Sequence, residues 1–192
     1  MTTYIFPGQG SQFIGMSRDF YENFKIAKNI FDEISDYTGI NLKKIIFDDD
    51  DNKLNITNFT QISIFTASLS IFKTIKSEKG ISLSDIDTML GHSLGEYSAL
   101  ACSEKINLKE SSLILKKRGE LMNNAVEPNK SGMAALIGLN SNEVEEIISQ
   151  NKLNLEIAND NSPMQIVISG DILELENSKK IFISNKVKKF IK

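Results

Sequence analysis

Gly91-His92-Ser93-Leu94-Gly95 is the stretch whose residue types and spacing suit covalent chemistry. A serine with glycine two positions before and two after it, between a short apolar run and a helical segment, has the pattern of a nucleophile elbow. In so sharp a strand-to-helix turn the nucleophile sits in a strained conformation. Neighbours without Cβ avoid clashes there and leave the hydroxyl exposed. The start of the following helix then directs unpaired N–H groups at any oxyanion formed at Ser93. The three fixed positions recur by chance in roughly 0.06 of chains of this length, so the pattern needs support from its surroundings.

Arg118 is the second residue with chemical potential. Ile114, Arg118 and Met122 fall at i, i+4 and i+8, so Arg118 shares a helix face with apolar residues and is expected to point inward. A buried guanidinium requires a partner, and Glu96 or Glu120 could supply one internally. His92 is the only histidine. Adjacent residues on a tight turn project in different directions, so His92 is expected to support the elbow by hydrogen bonding instead of taking the Ser93 proton. The acidic run 48–51 lacks the spaced ligands and glycine of a calcium loop and reads as solvated loop, with no metal site. Residues 177–192 hold six lysines and no acid, which exposed helix and strand faces explain.

These residues need a scaffold. Residues 3–6 read as a buried strand ended by Pro7-Gly8-Gln9-Gly10-Ser11-Gln12, where two glycines allow a tight turn. A helix is predicted over 16–38, stopped by Gly39, and a polar stretch follows over 48–58. Ile62, Phe65, Leu69 and Phe72 form the apolar stripe of a helix ending near Gly80. Residues 86–90 form the strand feeding the elbow, with helices over 94–102 and 108–126. Pro, Asn and Gly cluster at 128–132 and mark a boundary. Beyond it, strands over 133–139, 153–158, 165–169 and 187–191 and helices over 141–150 and 171–184 give the order β-α-β-β-α-β, the ferredoxin-like split unit. The predicted domains are therefore 1–127 and 128–192.

Composition sets the outer limits. The 192 residues are 41% hydrophobic and 24% charged with only 3 prolines, which suits a globular α/β chain able to bury a core. A net charge of -3 argues against a nucleic-acid partner. The N-terminus lacks a basic n-region, and no apolar run reaches the length of a membrane span. The lone Cys102 excludes an internal disulfide and fits a reducing compartment, so the cytoplasm is expected.

The surroundings of the elbow make the pattern specific. Residues 6–12, Phe6-Pro7-Gly8-Gln9-Gly10-Ser11-Gln12, and residues 91–100, from Gly91 through Glu96-Tyr97-Ser98-Ala99-Leu100, resemble the two signature segments of malonyl-CoA:acyl-carrier-protein transacylases. Leu54-Asn55, Thr57, Thr60-Gln61, Arg118-Gly119, Gly132-Met133-Ala134-Ala135, Asn159, Asn161-Ser162-Pro163 and 165–170 resemble further family segments in order, with Ile62-Ser63 departing from the family's usual Pro-Ala. The resemblance implies an α/β-hydrolase-like core, here incomplete, with an inserted ferredoxin-like subdomain.

It also implies roles for the site residues. Ser93 would accept the acyl group, the backbone N–H groups of Gln9 and Leu94 would form the oxyanion hole, Arg118 would grip the malonyl carboxylate, and Gln9 would also bind substrate. Malonyl-CoA and acyl carrier protein would be the partners in fatty acid biosynthesis, with no metal or bound cofactor. The basic end of the chain could then meet an acidic carrier or coenzyme A phosphates. The family draws its general base from a later segment, so this chain is read as an N-terminal portion expected to transfer poorly alone. The rivals are a serine esterase or thioesterase, a polyketide-synthase acyltransferase, and an inactive fragment that only binds carrier protein.

Overall fold

The computed structural model describes residues 1–127 and 130–192 and divides into two compact units, Met1–Ala125 and Val126–Lys192. Pro128 and Asn129 of the expected boundary lie outside the described residues.

In the first unit, strand β1 (Thr3–Phe6) pairs in parallel with β2 (Thr88–Gly91), Phe6 standing opposite Gly91. This register brings the end of β1 and its glycine loop beside the elbow. The expected helix over 16–38 is two helices, α1 (Arg18–Asn23) and α2 (Lys25–Thr38), because Phe24 is extended at φ -125° and ψ 126°. Nothing in phenylalanine's chemistry signals a break. What accompanies it is aromatic packing, with Tyr21 edge-on to both Phe31 and Phe47 at 5.1 and 5.2 Å. Gly39 ends α2 at φ 69°, a left-handed stop open to glycine. The short helix α3 (Leu42–Phe47) follows, capped by the Asn41 side chain.

Helix α4 (Thr57–Glu78) is the axis of this unit, packed by α2, α5 (Leu94–Cys102) and α6 (Leu108–Asn123). Its stripe of Ile62, Phe65, Leu69 and Phe72 is buried, and Phe72 meets Tyr4 and Phe6 of β1 edge-on. Being enclosed on several sides, α4 also buries Thr60, Gln61, Ser63, Thr66, Ser70 and Thr74. Several of these hydroxyls bond back to their own helix, as Thr66 does to the Ile62 carbonyl at 2.7 Å. Cys102 at the end of α5 is wholly buried, and that burial pushes its thiol up to about 12, against the smaller opposing pull of Lys73 and Lys76.

The second unit runs β3 (Ser131–Ile137), α7 (Ser141–Gln150), β4 (Leu155–Ser162), β5 (Gln165–Asp171), α8 (Ile172–Ser184) and β6 (Lys189–Ile191). Its antiparallel sheet has the order β4-β5-β3-β6. Ala134, Leu136, Ile166 and Ile168 alternate along the sheet and pack with Val144 and Ile147 of α7 and Leu175 and Phe182 of α8. No described helix is long and apolar enough to cross a membrane.

Candidate active site

Ser93 stands at the junction of β2 and α5 with φ 54° and ψ -112°, a conformation an L-residue adopts only when its surroundings impose it. The surroundings are glycine. A Cβ on Gly95 would lie 2.4 Å from the Phe6 carbonyl oxygen, and one on Gly91 would lie 2.1 Å from the Gly95 carbonyl carbon. Both would collide with backbone, so strand, elbow and helix can approach this closely only without side chains at these positions. As the residue before the first turn of α5, Ser93 leaves the Leu94 N–H among the helix-start donors without an intrahelical acceptor.

The loop after β1 abuts the elbow. A Cβ on Gly8 would lie 2.8 Å from the His92 carbonyl oxygen and 3.2 Å from His92 Nδ1. The imidazole therefore rests against the loop. Within it, Ser11 Oγ donates to the Gly8 carbonyl at 2.8 Å and the Gly10 N–H donates to Gln12 Oε1 at 2.8 Å. Gln12 Nε2 donates to Asn55 Oδ1 at 2.9 Å, and Gln9 Nε2 reaches Thr57 Oγ1 at 3.4 Å, tying the loop to the start of α4. Gln9 thus lies on the loop touching the elbow.

Arg118 arrives from α6. Its Nη2 donates to Ser93 Oγ at 2.9 Å, its Nη1 donates to Gln61 Oε1, and its guanidinium carbon sits 5.7 Å from the Tyr97 ring centre. Contrary to the expected apolar face, Ile114 and Met122 are 42% and 48% exposed. The buried stripe of α6 is Ser111, Leu115 and Gly119, and Arg118 projects one residue beside it, half-buried, toward the serine. Among the described residues its partners are neutral, and neither Glu96 nor Glu120 pairs with it; Glu120 lies near Lys117 instead. Gln61 is the site residue to which sequence reasoning gave no role. The available signal was a polar residue one place before Ile62 on a helix otherwise read as core.

Other sequence features resolve more simply. Asp49 is buried and accepts from the Leu54 N–H at 3.0 Å, while Asp51 pairs with Lys53, whose hydrogen bond and charge lower its carboxyl. Among the described residues no cluster of three metal-ligating side chains occurs. At the basic end, Lys192 pairs with Glu176.

This arrangement of a strained serine hydroxyl at a helix start, an adjoining glycine loop and a guanidinium at hydrogen-bond distance can hold an acyl group and a carboxylate side by side. Comparisons with known proteins point the same way. The family model described as "Acyl transferase domain" matches residues 3–178. The malonyl CoA-acyl carrier protein transacylase of Bacillus subtilis is 36% identical over 98% of this chain and 59% of its own length. The crystal structure of an acyl-carrier-protein-S-malonyltransferase from Bartonella henselae superposes with a TM-score of 0.91 at 34% identity, over 100% of this chain and 62% of that one. A malonyl-transacylase in complex with its type II polyketide acyl-carrier protein superposes with a TM-score of 0.89 at 32% identity, over 99% of this chain and 61% of that one. The chain thus spans about three fifths of the length of these relatives. With an α/β architecture and a family match that covers nearly all of the first unit and most of the second, the chain belongs to the acyl transferase domain family.

Proposed function

We propose that this chain carries the serine half of an acyltransferase that moves a malonyl group from malonyl-CoA to the phosphopantetheine thiol of acyl carrier protein. The observation that carries the reading is the 2.9 Å bond from Arg118 Nη2 to Ser93 Oγ at a positive-φ elbow. A cation held this close to the serine supports the reading that Arg118 meets the far carboxylate of a short acyl chain on Ser93. Relatives named for malonyl transfer, and one solved with its carrier protein, support both partners.

In the first step Ser93 Oγ bonds to the thioester carbonyl carbon, its proton leaves to a base, and the carbon–sulfur bond breaks to release coenzyme A. The backbone N–H groups of Gln9 and Leu94 would steady the oxyanion. The thiol of the carrier, giving its proton to the base, then attacks the ester carbonyl carbon; the bond to Ser93 Oγ breaks, the oxygen takes the proton back, and the malonyl group departs as the carrier thioester. Thioester exchange of this kind draws on no metal or redox cofactor, and His92, resting on the loop, serves as elbow support. The architecture we assign is an α/β-hydrolase-like core with the second unit as a ferredoxin-like insertion, supported by its element order and sheet order. The complex with a polyketide carrier favours a second reading in which the acceptor belongs to polyketide synthesis; the chemistry is the same and the choice of carrier decides. Cytoplasmic residence fits the lone buried cysteine.

In a chain extended to the full length of its relatives, intact-mass analysis after malonyl-CoA treatment should show one malonyl adduct, mapped to Ser93 and lost in Ser93→Ala. An adduct that survives Ser93→Ala would sink the assignment.

A further inference from the structure

Arg118 divides its guanidinium between a residue that can react and one that cannot: Nη2 donates to Ser93 Oγ, and Nη1 to Gln61 Oε1. Gln61 is wholly buried on α4. The far end of its amide, Nε2, lies 3.1 Å from Met122 Sδ, one helical turn beyond Arg118 on α6. A guanidinium only donates and a thioether only accepts, so these two neighbours dictate which way the amide points. Reversing it would set NH₂ against a cation and oxygen against sulfur. The backbone brings the parts together, because a Cβ on Gly119 would lie 2.7 Å from the Asn58 Cα. The glycine next to Arg118 thus lets α6 touch the first turn of α4, and Gln61 is the residue one turn further along.

We propose that Gln61 and Met122 are positioning residues that aim Arg118 for a carboxylated acyl chain, an inference that rests on the malonyl-transfer reading. Charge is what separates a neutral partner for Arg118 from an acidic one. An acid at position 61 would hold the guanidinium equally well but would cancel the charge that a substrate carboxylate must find. A neutral carbonyl oxygen fixes the fork and leaves its charge unspent. Two of the five guanidinium donors are occupied by Gln61 and Ser93, so the fork keeps donors for a carboxylate. Met122 then has the narrower task of keeping the amide from turning over.

The experiment uses Gln61→Glu, Gln61→Leu and Met122→Leu, with two readouts. The first is the rate of Ser93 acylation by malonyl-CoA and by acetyl-CoA, taken as a ratio. The second is the rate at which phenylglyoxal modifies Arg118, mapped by mass spectrometry. Gln61→Glu should lower the malonyl-to-acetyl ratio by about tenfold or more while leaving Arg118 protected from phenylglyoxal. Gln61→Leu should lower the ratio several-fold and speed modification several-fold. Met122→Leu, which keeps the volume and removes the acceptor, should move both in the same direction by about twofold. Equal losses for both acyl donors across the series, or an Arg118 modification rate unchanged in Gln61→Leu, would overturn the proposal. The acylation rates are read in a chain extended to the full length of its relatives; if that protein, unaltered, takes no malonyl group, the malonyl reading fails, and the phenylglyoxal rates alone decide whether Gln61 holds Arg118.

Discussion

The two units of this chain treat local structural rules differently. In the second, both helices open on side-chain caps: Asn140 and Glu143 form a reciprocal capping box on α7, and Asp171 accepts from two N–H groups of α8. Its sheet has alternating burial and a seven-residue ladder from Ser131 to Ile137. In the first unit, α1, α2, α4 and α5 begin with no side-chain cap. Among the described residues the buried side-chain oxygens without a hydrogen-bond partner, on Ser17, Asn58, Ser63, Thr74 and Ser98, all lie there too. The Ser93 strain is in the same unit. Departures from local consistency concentrate where a site is built; among its described residues the second unit departs only at the left-handed Lys152 and Lys186 and in two register shifts between β4 and β5.

Backbone crowding gives the largest expected effect. Gly95→Ala drives a Cβ against the Phe6 carbonyl at 2.4 Å, whereas Gly132→Ala in the second unit meets only the movable Leu175 Cδ1 at 3.2 Å. We expect a loss of about 3 kcal/mol or more for the first and within about 1 kcal/mol for the second, read from urea midpoints. All 4 tyrosines lie in the first unit and the chain has no tryptophan, so tyrosine fluorescence follows that unit alone while circular dichroism follows both. A Gly95→Ala midpoint close to that of the unaltered protein would break the contrast.

Strain at the elbow is next. Both Ser93→Gly and Ser93→Ala lose the Arg118 bond, but only alanine keeps the penalty of φ 54°. Glycine should therefore be the more stable variant by about 1–2 kcal/mol, after allowing for its greater unfolded-state freedom. Equal midpoints would mean that the elbow stores no strain. The smallest effect is expected where the rules are kept. Asn140→Ala removes one capping box and should cost about 1 kcal/mol, visible by circular dichroism and absent from the tyrosine transition. A matching shift in the tyrosine signal would show that the units unfold as one.

Where chemistry alone decides a boundary, the sequence was readable. Helix α5 runs over Leu94–Cys102 and α7 over Ser141–Gln150 as expected, because the first follows a glycine-framed turn and the second an Asn-x-x-Glu cap. The break at Phe24 was unreadable because tertiary packing of Tyr21, Phe31 and Phe47 accompanies it, not residue chemistry. Helix α3 was missed although Asn41 and the spacing of Leu42, Ile45 and Ile46 signalled it; at six residues it is too short for periodicity to stand out. Arg118 was noticed through its apolar neighbours Ile114 and Met122, yet these are substantially exposed. Its partner Gln61 comes from a helix 57 residues away in sequence, a pairing that arises from the packing of α6 on α4, to which the close Gly119–Asn58 approach contributes.

Cys102 closes the helix that begins at Ser93, and its burial pushes the thiol up to about 12. At neutral pH the group is therefore held as the thiol, and its burial keeps reagents from it in the closed state. Alkylation must wait for α4 and α5 to part, so its rate becomes a clock for that opening: the equilibrium constant of opening multiplied by the rate of a free thiol. A single sulfur thus times how often the platform beneath the serine comes apart.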